Sequence, residues 1–276
     1  MNYPEDFVNK IIHGDCLDVM KDIPDNSIDL VITSPPYAQR REGTYGGVNE
    51  NEYVEWFLPI AAEIRRLIKP SGSFFLNIKP HTKNGERSLY VFDLICSIKR
   101  GLDLFFVDEF CWTKNPFMGG YKGRFKNAFE PVYHFTKSHP RSIVFNPIAC
   151  GTPTKEESTK RAYRKQCGAP ENGSGMTGMN TQNMRHIKIS RPSNVIAANN
   201  VVNQFMPKKG HPATYPEALV DFFIRSFTRD GHLVLDPFVG SGTTAIVAKK
   251  LGRDFIGIDS TEKYCAIAKE MLAMVE

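Results

Sequence analysis

The sequence lacks the features of a membrane-spanning or secreted protein. It also lacks the cysteine patterns of a zinc site or a disulfide framework. No apolar run in its 276 residues is long enough to span a bilayer. The first residues, MNYPED, carry no basic segment followed by an apolar one, so no signal peptide is predicted and the cytoplasm is the expected location. Six cysteines are present without a C-x-x-C pair, which predicts free thiols rather than zinc ligands or disulfides.

Acidic residues are scarce in one segment, and this sets the charge pattern of the chain. Residues 151–210 contain ten lysines and arginines but three glutamates, a net charge of +7, whereas the whole chain carries +5. A concentrated positive charge is typical of a surface that contacts phosphates. The alternative is a solvated basic face. Regular periodicity is also missing from about 146 to 206, so this segment is interpreted as an insertion.

The rest of the chain alternates strands with helices, which is typical of a doubly wound α/β sheet with mostly parallel strands. Strands are predicted at 8–15, 27–33, 73–78, 104–112, 131–136, 232–235 and 255–258. Helices are predicted at 16–22, 52–69, 89–100, 217–227 and 245–251. The strands at 104–112 and 131–136 are expected to pair as an antiparallel hairpin at one edge. Residues 1–145 and 207–276 would then form two halves of one domain, interrupted by an insertion at 146–206.

The stretch DPFVGSGTT, residues 236–244, joins a predicted buried strand to a helix. Glycines at 240 and 242 permit a tight turn and the close approach of a ligand to the backbone. The next strand ends in Asp259, where a carboxylate is well placed to accept hydrogen bonds from a ribose. Gly-x-Gly alone often marks an ordinary turn. A nicotinamide site is disfavoured because its G-x-G-x-x-G spacing would need glycine where Ala245 stands.

A second motif, Ser34-Pro35-Pro36-Tyr37, follows the strand at 27–33. Doubly wound sheets bind ligands at the carboxyl ends of their strands, so this position favours a functional role over a simple proline turn. The polar, glycine-rich residues 38–52 are expected to form a loop beside the site.

With both motifs present, the chain resembles the β-group amino-methyltransferases of DNA. That group has a target-base motif, then a recognition region, then the D-P-F-x-G-S-G-T-T cofactor loop, a permuted order that this chain shares. The resemblance implies a Rossmann-like fold, S-adenosylmethionine (AdoMet) as cofactor, and duplex DNA as partner. It places Asp15 near the adenine, residues 211–216 beside the methionine part, and Asp259 on the ribose. The implied cofactor-binding residues are Asp15, Cys16, His211, Pro212, Ala213, Thr214, Asp236, Pro237, Phe238, Gly240, Ser241, Gly242, Thr243 and Asp259.

The target base is predicted from two positions. Enzymes of this group that act on adenine N6 usually carry Asp where Ser34 stands, and the segment HPATYP at 211–216 is nearer to the cytosine-N4 form. Both favour N4 of cytosine as the methylated position. The alternative is N6 of adenine, and a third possible substrate is RNA or a protein amide. Carbon-5 methylation is disfavoured because no Pro-Cys nucleophile occurs. An inactive DNA-binding module is disfavoured by the intact motifs. A homodimer and a cognate restriction endonuclease are compatible with the group.

The expected chemistry follows from the weak nucleophilicity of an exocyclic amine. The Ser34 hydroxyl and the Pro35 carbonyl are predicted to accept hydrogen bonds from its two N–H groups, which aims the nitrogen lone pair at the methyl group. Tyr37 is predicted to stack on a base that has turned out of the duplex. The complete predicted catalytic motif is Ser34, Pro35, Pro36 and Tyr37. Residues predicted to contact DNA are Arg40, Arg41, Lys122, Arg124, Lys155, Arg161, Arg164, Arg185, Lys188 and Arg191.

Overall fold

The computed structural model describes residues 1–38, 47–114, 123, 125–154, 188–198 and 216–275. The chain divides into two compact units. The first consists of Met1–Phe145 together with Asn194–Glu276, and the second of Asn146–Ser193. Within the second unit, two short strands, Thr152–Pro153 and Ile189–Ser190, pair antiparallel. No helix in the described part of the chain is long and apolar enough to cross a membrane.

An eight-stranded sheet forms the centre of the first unit. In chain order the strands of the structure are β1 (Lys10–His13), β2 (Ile28–Thr33), β3 (Ile68–Asn77), β4 (Thr82–Lys83), β5 (Glu86–Arg87), β6 (Phe105–Thr113), β7 (Phe129–Thr136), β8 (Thr152–Pro153), β9 (Ile189–Ser190), β10 (Val195–Ala197), β11 (Leu233–Asp236) and β12 (Asp254–Asp259). The order across the sheet is β1-β12-β11-β2-β3-β7-β6-β10, while β4 and β5 form a separate hairpin. Neighbouring strands are parallel except at β3–β7 and β7–β6.

Helices cover both faces of this sheet. They are α1 (Cys16–Lys21), α2 (Tyr53–Leu67), α3 (Tyr90–Gly101), α4 (Glu217–Phe227), α5 (Thr243–Lys250) and α6 (Glu262–Ala273). Side chains of α1, α2 and α3 pack in one apolar cluster and those of α4 and α5 in another. Strand β2 supplies both clusters, since Val31 belongs to the first and its neighbours Leu30 and Ile32 to the second. This alternation is the two-residue period of a strand that is buried on both faces.

The predicted doubly wound α/β class is confirmed. The sheet edge and the start of helix α5 are among the places where the structure differs from the sequence-based expectation. The hairpin of β6 and β7 does not form the edge, because β10 adds parallel to β6 with Ile196 opposite Trp112. A strand of three residues within a segment without periodicity gives little sequence signal. Helix α5 begins at Thr243 rather than at 245, because Gly242 precedes it with φ of 92°, a left-handed conformation that favours glycine.

Candidate active site

The two sequence motifs follow adjacent parallel strands. Val31 of β2 lies opposite Leu235 of β11 in the sheet register. Beyond this pair, the Thr33 hydroxyl donates to Asp236 Oδ1 at 2.7 Å. The turn after β11 and the Ser-Pro-Pro-Tyr segment after β2 therefore leave the same carboxyl edge of the sheet, which is where parallel α/β sheets bind ligands.

Asp236 joins three parts of this edge. Besides Thr33, its carboxylate accepts the Thr244 hydroxyl of α5 at 2.6 Å and the backbone N–H of Phe238 at 3.1 Å. The side chain is buried, with 1% of its surface exposed. Asp236 therefore fixes the glycine turn to β2 and to the first turn of α5.

The glycine turn is held on its other side by Asp259, the last residue of β12. Its Oδ2 accepts the N–H of Gly240 at 3.0 Å and its Oδ1 accepts the N–H of Thr261 at 2.8 Å. Burial raises the pKa of Asp259, although the hydrogen bonds from these backbone groups oppose that effect. Each oxygen has a further lone pair, so the carboxylate can accept hydroxyl groups of a ligand as well.

The first strand ends beside the same carboxylate. His13 lies opposite Asp259 in the β1–β12 register, and the N–H of Gly14 donates to the Asp259 carbonyl at 3.1 Å. Asp15 is exposed and caps helix α1 by accepting the N–H of Leu17 at 2.8 Å. Cys16 is buried, and burial together with the neighbouring Asp15 raises the pKa of its thiol to about 12. The thiol therefore stays protonated, and Cys16 belongs to the buried apolar cluster that includes Val19 and Met20 of the same helix.

An aromatic wall borders the glycine turn. The ring of Phe238 lies 5.9 Å from that of Trp56 and 6.4 Å from that of Phe57, between centroids. Trp56 in turn borders a cavity of about 670 Å³ between the start of α2 and the preceding segment. Its lining residues are Gly47, Val48, Asn49, Glu52, Glu55 and Trp56.

The Ser-Pro-Pro-Tyr segment is held by hydrogen bonds at its end. Ser34 is half-buried, and its hydroxyl donates to the Tyr37 oxygen at 3.4 Å. The Tyr37 hydroxyl lies 3.1 Å from Glu130 Oε2 and 3.2 Å from Asn77 Oδ1, and it can donate to either. Tyr53 of α2 donates to the Pro36 carbonyl at 2.6 Å. The segment is therefore anchored to β3, to β7 and to α2.

Glu130 is the centre of a buried charge cluster beside this segment. Its Oε1 accepts the ammonium groups of both Lys79 and Lys114, which follow β3 and β6. The Lys114 ammonium also lies 4.9 Å from the centroid of the Trp112 ring. The sequence patterns predict no role at the site for Lys79, Lys114 or Glu130, because these residues come from three separate parts of the chain. A polar residue at or just beyond each strand end is the signal they share.

Comparison with known proteins shows the family to which the chain belongs. The family model described as DNA methylase matches residues 28–270. The chain belongs to this DNA methylase family. This confirms the resemblance expected from the motifs, and the methyl donor of the family is AdoMet.

Curated relatives of this DNA methylase span nearly its whole length. The type II methyltransferase M.BglII of Bacillus subtilis is 31% identical over 99% of this chain and 71% of its own length. M.PvuII of Proteus hauseri is 31% identical over 92% of this chain and 80% of its own. The DNA adenine methyltransferase YhdJ of Escherichia coli (strain K12) is 30% identical over 92% of this chain and 79% of its own.

Solved structures share the fold. The PvuII DNA methyltransferase, described as cytosine-N4-specific, superposes with a TM-score of 0.69 at 26% identity, over 94% of this chain and 84% of that one. A DNA modification methylase of Thermus thermophilus, solved in complex with AdoMet, gives a TM-score of 0.61 at 22% identity over 96% of this chain and 93% of that one.

The described residues of the methylase fit AdoMet. The Ser241 hydroxyl is buried in the glycine turn, and no hydrogen-bond partner for it is present among the described residues. A ligand that approaches this turn can satisfy it. The Asp259 carboxylate retains lone pairs for ribose hydroxyls. A β-carbon at Gly242 would lie 3.0 Å from Ala268 Cβ, so the close packing of this turn on α6 needs glycine.

The remaining predicted residues are divided between the described and undescribed parts of the chain. Lys188 and Arg191 are exposed in the second unit. The residues that lie outside the described part are Arg40, Arg41, Lys122, Arg124, Lys155, Arg161, Arg164, Arg185, His211, Pro212, Ala213 and Thr214. Where the structure describes the chain, no group of three or more His, Cys, Asp and Glu side chains could hold a metal ion.

Proposed function

We propose that this DNA methyltransferase transfers the methyl group of AdoMet to the exocyclic N4 amine of cytosine in duplex DNA. The target is a base turned out of the helix at a specific site, as in a restriction-modification system. Similarity to the cytosine-N4-specific PvuII enzyme supports the reaction. The observation that carries the choice of base is Ser34, which stands directly after β2 where the adenine-N6 enzymes of the group usually have Asp.

The geometry around Ser34 supports its role as an acceptor. Its oxygen lies 3.4 Å from the Tyr37 oxygen, to which its hydroxyl can donate. The lone pairs of its oxygen are therefore available to an amine N–H. The Pro36 carbonyl is engaged by Tyr53, and we assign the second acceptor to the preceding carbonyl, that of Pro35. Two acceptors favour a pyramidal amine whose lone pair faces the methyl group.

The cofactor residues would act by position. AdoMet supplies a methyl group on a sulfonium that is already activated. Asp259 would bind its ribose hydroxyls, Asp15 would lie near the adenine, and the Gly240–Gly242 turn would hold the methionine part against Phe238. Because Thr33 ties this turn to the strand that Ser34 directly follows, both reactants can be held in line.

Product analysis tests the choice of base. The protein is expressed in a host without DNA methyltransferases, and genomic DNA is digested to nucleosides and analysed by chromatography and mass spectrometry. N4-methyldeoxycytidine is the expected product. Ser34→Ala should abolish it, whereas the exposed surface serine Ser142 gives a matched control as Ser142→Ala.

A second candidate, adenine N6, is favoured by the 30% identity to the adenine methyltransferase YhdJ. Detection of N6-methyldeoxyadenosine without methylated cytosine would establish this alternative. It would show that Ser34 does not select the base, while the fold and the family would be unaffected.

A further inference from the structure

A directed chain of hydrogen bonds leads from Ser34 into the protein. Ser34 donates to the Tyr37 oxygen, and Tyr37 is within hydrogen-bond distance of Glu130 and Asn77. A phenol has one proton, so Tyr37 can accept from Ser34 only while it donates elsewhere. The direction of the whole chain therefore depends on the acceptor beyond Tyr37.

Both groups beyond Tyr37 are set as acceptors. Asn77 Nδ2 donates to the Pro131 carbonyl at 3.0 Å, which leaves its Oδ1 facing Tyr37. A carboxylate has acceptors only, and a hydrogen bond to an ionised group is about twice as strong as a neutral one. Glu130 therefore fixes the direction most strongly, provided that it stays ionised.

Two lysines keep Glu130 ionised. Burial raises the pKa of its carboxyl, but the charges of Lys79 and Lys114 and their hydrogen bonds outweigh burial and lower it. Burial also raises the pKa of Tyr37 well above its usual value, and the charge of Glu130 raises it further. The phenol therefore keeps its proton. The groups that face Glu130 are Lys79 after β3, Lys114 after β6, and Tyr37 after β2.

We infer that Glu130 is a positioning residue that acts through Tyr37 and makes Ser34 a hydrogen-bond acceptor for the target amine. This inference rests on the proposed function, because it assigns a device that prepares Ser34 for the base. Glutamine at 130 would have an N–H₂ group able to donate to Tyr37. The direction of the chain would then no longer be fixed, and Ser34 could turn its proton toward the amine.

A double-variant cycle tests the coupling. Single-turnover methyl transfer is measured with saturating AdoMet on DNA that the wild-type protein methylates, for Glu130→Gln, Tyr37→Phe and the double variant. Glu130→Gln should reduce the rate about tenfold, the typical worth of a hydrogen bond to a charged group. It should leave the Kd for AdoMet unchanged. In the Tyr37→Phe background, Glu130→Gln should have no further effect, because the hydroxyl through which it acts is absent. Glu109→Gln, an exposed acid on β6, is the matched control.

The pH profile supplies a readout that a purely structural role would not change. Lys114→Met removes one of the two cations and should raise the pKa of Glu130. The acid limb of the single-turnover profile, scaled to its own plateau, should then move to higher pH. If Glu130→Gln does not fold, as judged by thermal unfolding, this shift decides the matter. The inference would be overturned if Glu130→Gln reduced the single-turnover rate by the same factor in the wild-type and Tyr37→Phe proteins. It would also be overturned if Lys114→Met left the acid limb where it is in the wild type. A wild-type protein that methylates no DNA would instead overturn the proposed function.

Discussion

Thr33 and Asp236 are 203 positions apart in the sequence, and the hydroxyl of the first donates to the carboxylate of the second at 2.7 Å. Both side chains are buried. The bond connects the strand that presents Ser34 to the turn that we assign to the cofactor. It therefore joins the two halves of the site directly.

Loss of this bond should affect the two halves together. Thr33→Val keeps the side-chain shape but removes the donor, which leaves a buried carboxylate with one partner fewer. We expect the free energy of unfolding to fall by about 1 to 3 kcal/mol. AdoMet affinity and the rate of transfer should both decrease. Denaturant unfolding and calorimetry measure these effects, and Thr152→Val, at an exposed threonine, is the control. Unchanged AdoMet affinity in Thr33→Val would contradict a shared role of the bond.

Ser34 and Asp236 should separate chemistry from cofactor binding. Ser34→Ala removes the proposed acceptor and should abolish most transfer with AdoMet affinity preserved. Asp236→Ala removes the carboxylate whose hydrogen bonds hold the glycine turn, so it should weaken AdoMet binding and lower the stability of the fold. Isothermal titration calorimetry on both variants distinguishes the two roles. Equal losses of AdoMet affinity would show that Ser34 does not face the base.

The second unit should contribute to DNA affinity through its exposed cations. If Lys188 and Arg191 contact phosphates, the logarithm of the affinity falls linearly with the logarithm of the salt concentration. Replacing both by glutamine should make this slope shallower by about 2. Lys10→Gln is a suitable control, because Lys10 begins β1 and so lies at the opposite end of the strand from the site. Titrations by fluorescence anisotropy give the slopes, and identical values for wild type and double variant would mean that the two cations form only a solvated face.

His134 should make the fold sensitive to acid. Its ring is buried against Phe75 at 4.2 Å between centroids, and burial lowers its pKa to about 3. The unfolded chain binds a proton near pH 6.5, so between these two pH values the unfolded state holds more protons and stability decreases as the pH falls. At pH 5 the free energy of unfolding should be lower by about 2 kcal/mol than at neutral pH because of His134.

A substitution that does not titrate isolates this effect. His134→Gln should be less sensitive than the wild type to a change from pH 7 to pH 5 in thermal unfolding. Ser73→Ala removes the hydrogen-bond partner of the ring at 3.0 Å but keeps the histidine, so it should retain the full acid sensitivity. If His134→Gln and the wild type lost equal stability, the acid response would have to come from other groups.

The elements nearest the two motifs could be predicted from local pattern. Helix α4 has the predicted bounds, because Pro216 and an amphipathic run define it. Strand β2 and the acid that ends β12 could also be predicted from the sequence, since buried parallel strands appear as short apolar runs. These features depend on neighbours in sequence.

The cluster around Glu130 could not be predicted in this way. Lys79, Lys114 and Glu130 are brought together only by the pairing of β7 with both β3 and β6. In sequence each is one charged residue close to the beginning or end of a strand, and such residues are common. The hydrogen bonds that Asp236 accepts from other parts of the protein could not be predicted for a similar reason. A motif shows that an acid is present, but it does not show which protein groups donate hydrogen bonds to it.

The order of strands has a consequence for how the chain folds during synthesis. Strands β1 and β2 are neighbours in sequence, but β12 and β11 lie between them in the sheet. Until residues 233–259 leave the ribosome, one edge of β2 has no partner and β1 has no sheet to join. Strand pairings of such long sequence separation form slowly, and unpaired edges favour aggregation. We therefore expect completion of the central sheet to be a late step of folding, and truncation before β11 to yield an aggregation-prone chain rather than a folded half.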